Sequence, residues 1–136
     1  MHFFEHEGFR LAYLDQHPEE GDGEPILLIH GFASNMTVNW TNPGWVHDLR
    51  RAGYRVIAFD HRGHGKSSAS YDPADYTPSK MAGDAAALLD HLGIERAHVM
   101  GYSMGARVST FLALEHPERV ASLILGGLGI GMIEGV

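Results

Sequence analysis

Residues 101–105 (GYSMG) carry the clearest chemical signal in this sequence: a serine flanked at two residues' distance by glycines, directly after the apolar run 97–100. A serine on a tight turn from strand to helix is held in a strained conformation, and the glycines let the two elements approach closely. Its hydroxyl then stands at a helix N-terminus, where backbone N–H groups favour developing negative charge. The pattern predicts that Ser103 is a nucleophile.

The elements that must position this serine alternate between strand and helix. Residues 2–7 and 9–15 alternate in polarity and are joined at Gly8, which predicts an antiparallel hairpin. Strands apolar on both faces, alternating with helices, indicate a mostly parallel sheet covered on both sides. We therefore predict a single α/β domain over residues 1–136, with strands at 26–29, 55–59, 97–100 and 120–125, and helices from Asn42-Pro43 to Gly53, from Thr77-Pro78 to Gly93, and over 104–116.

Composition excludes several classes of protein. Hydrophobic residues make up 44% and charged residues 20%, so disorder, collagen and coiled coil are disfavoured. The net charge of -7 disfavours nucleic acid as a partner, since phosphate backbones select basic surfaces. The absence of cysteine excludes disulfides and thiolate metal sites. With neither a leader-like start nor a membrane-spanning run in the sequence, we expect a cytoplasmic protein that needs no membrane.

Four segments follow one another in a familiar order: ILLIHGFASN, FDHRGHGKSS, HVMGYSMGARV and LEHPERVASLILGG. They resemble the α/β-hydrolase fold superfamily, in its esterase, lactonase and epoxide-hydrolase-like branch, and they are spread along the chain from residue 26 to residue 127. The resemblance implies that Ser103 is the nucleophile and that the backbone N–H groups of Phe32 and Met104 form the oxyanion hole. The residues agree, because a glycine at position 31 lets the loop after a strand turn its N–H toward a neighbouring strand's end.

Histidines near the serine admit two interpretations. His30 is either a base for Ser103 or a structural histidine that hydrogen bonds to loop backbone. Asp60, His61 and His64 have ligand types that suit a metal site, whereas the resemblance assigns the same string to a structural loop braced by Asp60 and Arg62.

The sequence departs from the family after Ser103. The family places an acid and then a histidine downstream of its nucleophile. Here only Glu115, Glu118, Glu134 and His116 follow, and His116 should lie about 18 Å away, at the far end of the same helix, at about 1.5 Å per residue. We expect either a truncated, split or fragmentary product that stops after the sixth family strand, or a small hydrolase whose base is His30 or comes from a second subunit.

The last predicted strand lacks a further neighbour in this sequence. An edge strand with unpaired backbone groups and apolar side chains invites pairing with another chain. We therefore expect a homodimer, or a higher oligomer, formed through residues 120–136.

Three functions remain to be weighed. The first is a serine hydrolase, without a cofactor, that acts on small carboxylic esters or lactones; its shallow pocket would include Gly31, Trp40 and Tyr102 beside the oxyanion loop, and its specificity would be broad. The second is a non-catalytic hydrolase remnant that acts as a binding or oligomerisation module. The third is a metal-dependent hydrolase that uses Asp60, His61 and His64.

Overall fold

The computed structural model describes residues 1–127, and these form a six-stranded sheet with helices on both faces. The strands are β1 His2–His6, β2 Phe9–Gln16, β3 Glu24–Ile29, β4 Tyr54–Phe59, β5 Ala97–Tyr102 and β6 Val120–Gly126. The helices are α1 Trp45–Arg51, α2 Pro78–His91 and α3 Met104–Glu115, and short helical turns lie at Thr37–Thr41, Pro73–Tyr76 and Pro117–Arg119.

The sheet is mixed and has the strand order β1-β2-β4-β3-β5-β6. β1 pairs with β2, and β2 with β4, in antiparallel register, whereas β4, β3, β5 and β6 are parallel to their neighbours. Glu7 and Gly8 form the two-residue hairpin turn, and both have positive φ, at 50° and 82°, as a turn that follows the strand twist requires. The predicted α/β class, with an antiparallel hairpin and a mostly parallel sheet, is confirmed.

Alternate residues of the central strands supply two hydrophobic cores. One core packs against α2 and α3 and contains Leu27, Ile57 and Val99. The other lies on the α1 face and contains Leu28, Val56 and Met100 with the side chains of Trp40 and Val46. Strands that are buried on both faces have continuous apolar sequences. This explains the apolar runs that predicted β3 and β4.

Helix boundaries agree with the sequence at α2 and differ at α1. Thr77 caps α2 by accepting a hydrogen bond from the N–H of Lys80, with Pro78 at the first helical position. The predicted start of α1 at Asn42-Pro43 was wrong, because the N–H of Asn42 closes the preceding turn on the carbonyl of Thr37 at 2.8 Å. Gly44, with φ of 97°, separates that turn from α1.

β6 is an edge of the sheet formed by residues 1–127, as predicted. The expectation that this strand is buried on both faces was wrong. Ile124 is 50% exposed and Leu125 is 37% exposed. Leu123 packs against the core on the α2–α3 side, so α3 covers one face of the strand while the described chain leaves most of the other open. No helix within residues 1–127 has the length and apolar character needed to cross a membrane.

A buried ion pair ties the hairpin, the loop after β4 and α2 together. The guanidinium of Arg62 donates to both carboxylate oxygens of Asp84, at 2.7 and 2.6 Å, and both side chains are inaccessible to solvent or nearly so. Arg62 also bonds to Glu7, at 3.0 Å, and His6 donates to Asp84 at 2.7 Å. A buried charge left without its partner is strongly destabilising.

We expect Asp84→Asn to lower the free energy of unfolding by about 3 kcal/mol, because the buried guanidinium loses its counter-charge. The matched control is Asp90→Asn, because Asp90 also pairs with an arginine, Arg119, but its side chain is 70% exposed. The loss of unfolding free energy in this variant should stay below about 1 kcal/mol. Urea unfolding followed by circular dichroism measures both, and equal losses would contradict the assigned role of the buried pair.

Candidate active site

Ser103 occupies the turn between β5 and α3 in a strained conformation, with φ of 57° and ψ of -119°. A non-glycine residue with positive φ is uncommon and is held in place by its surroundings. The N–H of Ser103 donates to the carbonyl of Gly126 at 2.8 Å, and its carbonyl accepts from the N–H of Ala106 at 2.9 Å. The turn is therefore fixed from both sides, as the sequence pattern predicts.

The glycines at positions 101 and 105 are required by close backbone approach. A Cβ atom on Gly105 would lie 2.6 Å from the carbonyl oxygen of His30 and closer still to that of Ile29. A Cβ atom on Gly101 would overlap the carbonyl of Gly105 and the hydroxyl of Ser109. The absence of both side chains lets α3 begin directly against the end of β3.

This close approach brings the loop after β3 against the serine. A Cβ atom on Gly31 would lie 3.4 Å from the Cβ of Ser103 and 3.3 Å from the carbonyl oxygen of Tyr102. The N–H of Gly31 donates to the side chain of Asn39 at 2.7 Å, so the next N–H along the loop is that of Phe32. Because no local pattern pairs Asn39 with this loop, sequence reasoning missed it.

His30 is placed as a structural residue. It is fully buried, its Nδ1–H donates to the carbonyl of Gly31 at 2.7 Å, and its Nε2 accepts from the N–H of His61 at 3.0 Å. Both ring nitrogens are thus used by backbone groups, which corrects the suggestion that His30 is the base for Ser103. Burial lowers the pKa of His30 to about 4, so the ring is neutral at pH 7.

The loop after β4 is braced by its polar side chains, which use the groups weighed above as metal ligands in hydrogen bonds within the loops. The carboxylate of Asp60 accepts from the N–H groups of Met36 and Lys66, both at 2.9 Å. His61 donates from Nε2 to the carbonyl of His30 at 3.0 Å, and Nδ1 of His64 donates to that of Arg62 at 3.0 Å. Burial is the main reason that the pKa of His61 lies well below its ordinary value, and the neighbouring His30 lowers it further.

Within residues 1–127 only His6, Glu7 and Asp84 bring three ligand-type atoms close together. The guanidinium of Arg62 already bonds to both acids of that group. A cation would have to displace this guanidinium, so the group is an ion-pair network.

No histidine within residues 1–127 hydrogen bonds to the Ser103 hydroxyl. His116 caps the C-terminus of α3, whereas Ser103 caps its N-terminus, so the two lie at opposite ends of one helix. The described residues therefore supply the turn and the adjoining loop but no base. The place of His116 at the far end of α3 agrees with the prediction from the sequence.

An open apolar cavity of about 520 Å³ lies beside the turn. Trp40 and Tyr102, which the sequence places in a pocket, both line it, together with Trp45, Met100, Ile124 and Leu125. Gly31 is not among the lining residues and lies beside Ser103, where an added Cβ would be 3.4 Å from the serine Cβ. Phe32 is 73% exposed, with its ring 5.9 Å from that of His64. The edge strand β6 thus forms part of the cavity wall.

The strand order, the serine turn and the loop after β3 are the features expected of one hydrolase family. The sequence profile described as alpha/beta hydrolase fold matches residues 24–130. The chain belongs to this family.

Relatives within the alpha/beta hydrolase fold family have different activities in their names. The chain is 39% identical to the dihydrolipoyllysine-residue acetyltransferase component of the acetoin cleaving system of Cupriavidus necator, over 90% of this chain and 30% of that protein. It is 35% identical to epoxide hydrolase B of Mycobacterium tuberculosis, over 86% of this chain and 32% of that protein. The solved structure of Est816, an N-acyl homoserine lactone degrading enzyme, matches with a TM-score of 0.83 and 30% identity, over 98% of this chain and 48% of the other. The chain therefore spans about a third to a half of these relatives.

The neutral, buried state of His30 makes stability depend on pH. The unfolded chain takes up a proton at His30 near pH 6.5, and the folded chain only near pH 4. The contribution of His30 to the free energy of unfolding should therefore be fully present above about pH 6.5. It should fall by about 3 kcal/mol as the pH drops toward 4. The buried His61 acts in the same direction.

Urea unfolding between pH 4 and 7 tests this expectation. His30→Gln, which keeps an acceptor for the His61 N–H, should flatten the rise of unfolding free energy with pH. His47→Gln, at an exposed position on α1, should leave it unchanged. An unaltered slope in His30→Gln would assign the pH dependence to other groups.

Proposed function

We propose that this chain provides the nucleophile half of a serine hydrolase that acts on small carboxylic esters or lactones. One observation carries the proposal: the strained turn that displays Ser103 lies in contact with the glycine loop after β3. A hydroxyl at a helix N-terminus, beside a loop with backbone donors, suits attack on a carbonyl, where negative charge develops on oxygen.

The proposed reaction has two stages. The oxygen of Ser103 attacks the carbonyl carbon, the N–H groups of Phe32 and Met104 stabilise the oxyanion, and the alcohol leaves. Water then hydrolyses the acyl-enzyme. We place the histidine and the acid outside the described residues, on further polypeptide or on a second subunit. Both ring nitrogens of His30 are used by backbone groups, and His116 lies at the far end of α3.

Carbonyl substrates are favoured over epoxides by the chemistry of the turn. Backbone donors beside a serine stabilise the oxyanion of a tetrahedral intermediate, and opening an epoxide forms no such intermediate. The lactone-degrading activity named for Est816 agrees with carbonyl chemistry on this fold. The open apolar cavity beside Tyr102 suits acyl groups of varied shape, so we propose broad specificity.

We expect Ser103→Ala to lower the hydrolysis of p-nitrophenyl butyrate by at least about tenfold, because the covalent route is lost. Ser79→Ala is the matched control, since Ser79 is exposed on α2 and its hydroxyl donates to Glu115. The test compares the initial rates of hydrolysis by the wild type and both variants, each corrected for hydrolysis in buffer alone. Equal rates in wild type and Ser103→Ala, together with no fluorophosphonate adduct on Ser103, would refute the nucleophile.

The missing base favours one alternative, a non-catalytic module for binding or oligomerisation. A fluorophosphonate labels an activated serine, and trypsin releases Ser103 in peptide 97–107, where it is the sole serine. Labelling of this peptide in folded protein supports the hydrolase. Its absence favours the module.

We also propose that β6 pairs with a second copy of the chain. Its outer edge has no strand partner within residues 1–127, and Ile124 and Leu125 are exposed there. Backbone groups of an open edge pair readily with another strand. The remainder of the expected interface, residues 128–136, lies outside the described residues.

Size-exclusion chromatography with light scattering should show a dimer at micromolar concentration. Ile124→Lys should shift the protein toward monomer, because it places a charge in the apolar edge. Leu114→Lys is the control, since Leu114 is also exposed but lies on α3. A monomeric wild type would refute the proposal.

A further inference from the structure

A serine, a histidine and a glutamate form a hydrogen-bonded chain at the end of the sheet opposite Ser103. Nδ1 of His98 lies 2.7 Å from the hydroxyl oxygen of Ser122, and Nε2 lies 2.6 Å from a carboxylate oxygen of Glu24. The three residues belong to the neighbouring strands β3, β5 and β6. This hydrogen-bonded network of three side chains is separate from the turn at Ser103, which follows the carboxyl end of β5.

The chemistry of the three groups assigns the protons. An ionised carboxylate can only accept, so Nε2 of His98 carries the proton that it shares with Glu24. In a neutral imidazole the other nitrogen then has a free lone pair, so Nδ1 accepts from the hydroxyl of Ser122. A serine that donates to a histidine oriented by an acid is the arrangement that activates an oxygen nucleophile.

A β-bulge creates this alignment. Ala97 pairs with Val120, but His98 pairs with Ser122, so β6 holds one extra residue, Ala121, at this point. Regular pairing would set Ala121 opposite His98 and turn Ser122 to the other face, because strand side chains alternate. Bulges are over-represented near active sites, where they re-aim a side chain.

The His98 side chain is 27% exposed and packs against one aromatic neighbour, while the serine is open to solvent. Tyr54 packs edge-on against the ring, with centroids 6.1 Å apart, and Ser122 is exposed. A cavity of about 170 Å³ adjoins the histidine and is lined by Glu24 and Arg96 among others. Arg96 brings a positive charge to the cavity lining, and its guanidinium donates to the carbonyl of Val120 at 3.5 Å. Positive charge there favours an oxyanion, and the volume suits a small acyl group.

We propose that Ser122, His98 and Glu24 form a second acyl-transfer site, for small activated carboxylic esters. The oxygen of Ser122 attacks the carbonyl carbon and its proton passes to Nδ1 of His98. The bond to the leaving alcohol breaks, and that alcohol takes the proton from His98. Water then attacks the acyl group and gives a proton to His98, which returns it to Ser122 as the acid departs.

Diisopropyl fluorophosphate tests the site directly, because it forms a stable adduct on an activated serine. Trypsin releases Ser122 in peptide 120–136, where it is the sole serine, and Ser103 in peptide 97–107. We expect adducts on peptide 120–136 in the wild type and in Ser103→Ala alike. Peptide 67–80, which holds four serines and no histidine, serves as the internal control and should stay unmodified.

Two variants test the mechanism. His98→Gln removes the base and should slow modification of Ser122 by about 100-fold, while leaving the labelling rate at Ser103 unchanged. Glu24→Gln keeps the shape of the side chain and should slow it less. Circular dichroism checks folding, and if His98→Gln does not fold, the rate in Glu24→Gln decides.

Failure of this site is distinguishable from failure of the turn at Ser103, since each serine reports in its own peptide. An unmodified peptide 120–136 in folded protein would overturn the proposal, as would equal rates in wild type and folded His98→Gln. Equal rates in wild type and Glu24→Gln would overturn the role of the acid. In the first two cases the three side chains would serve only to link their strands, and in the third Glu24 would have no part in activating Ser122.

Discussion

The close approach of α3 to the end of β3 is the constraint on which the candidate site depends. Gly105 lies against the carbonyls of Ile29 and His30, at a distance that leaves no room for a side chain. Because the helix begins there, the preceding residue must turn sharply, and Ser103 takes a backbone conformation that non-glycine residues rarely adopt. The same contact sets the loop at Gly31 beside the serine. One packing distance thus positions both the proposed nucleophile and the loop proposed to stabilise its oxyanion.

Buried polar groups hold the two loops around this contact. His30 and His61 satisfy each other's backbone groups, and burial keeps both rings neutral by lowering their pKa values. Neutral rings avoid the cost of burying charge, so both histidines are suited to a structural role. The ion pair of Arg62 with Asp84 anchors the same region to α2. Loops built in this way present backbone donors with little freedom to move.

The open edge at β6 connects the remaining features. Its exposed apolar side chains line the cavity near Tyr102 and offer a surface for a second copy. At its other end the strand carries Ser122, which a bulge turns toward His98. In the proposed dimer, the second copy would lie along this edge, next to the cavity that β6 helps to line. The same strand therefore belongs to the proposed dimer interface and to both proposed sites.

Local sequence patterns determined most of the fold of this protein. Apolar periodicity, caps and glycine stops predict the strands, α2 and α3, and GYSMG predicts the serine turn, because these depend on neighbours within a few residues. The roles of the histidines were decided only by the tertiary structure. Whether His30 meets Ser103 or the backbone of His61, and whether Ser122 faces His98, depends on how distant segments align. A single bulge residue changes that alignment without any local signal, since the side-chain period of a strand is two.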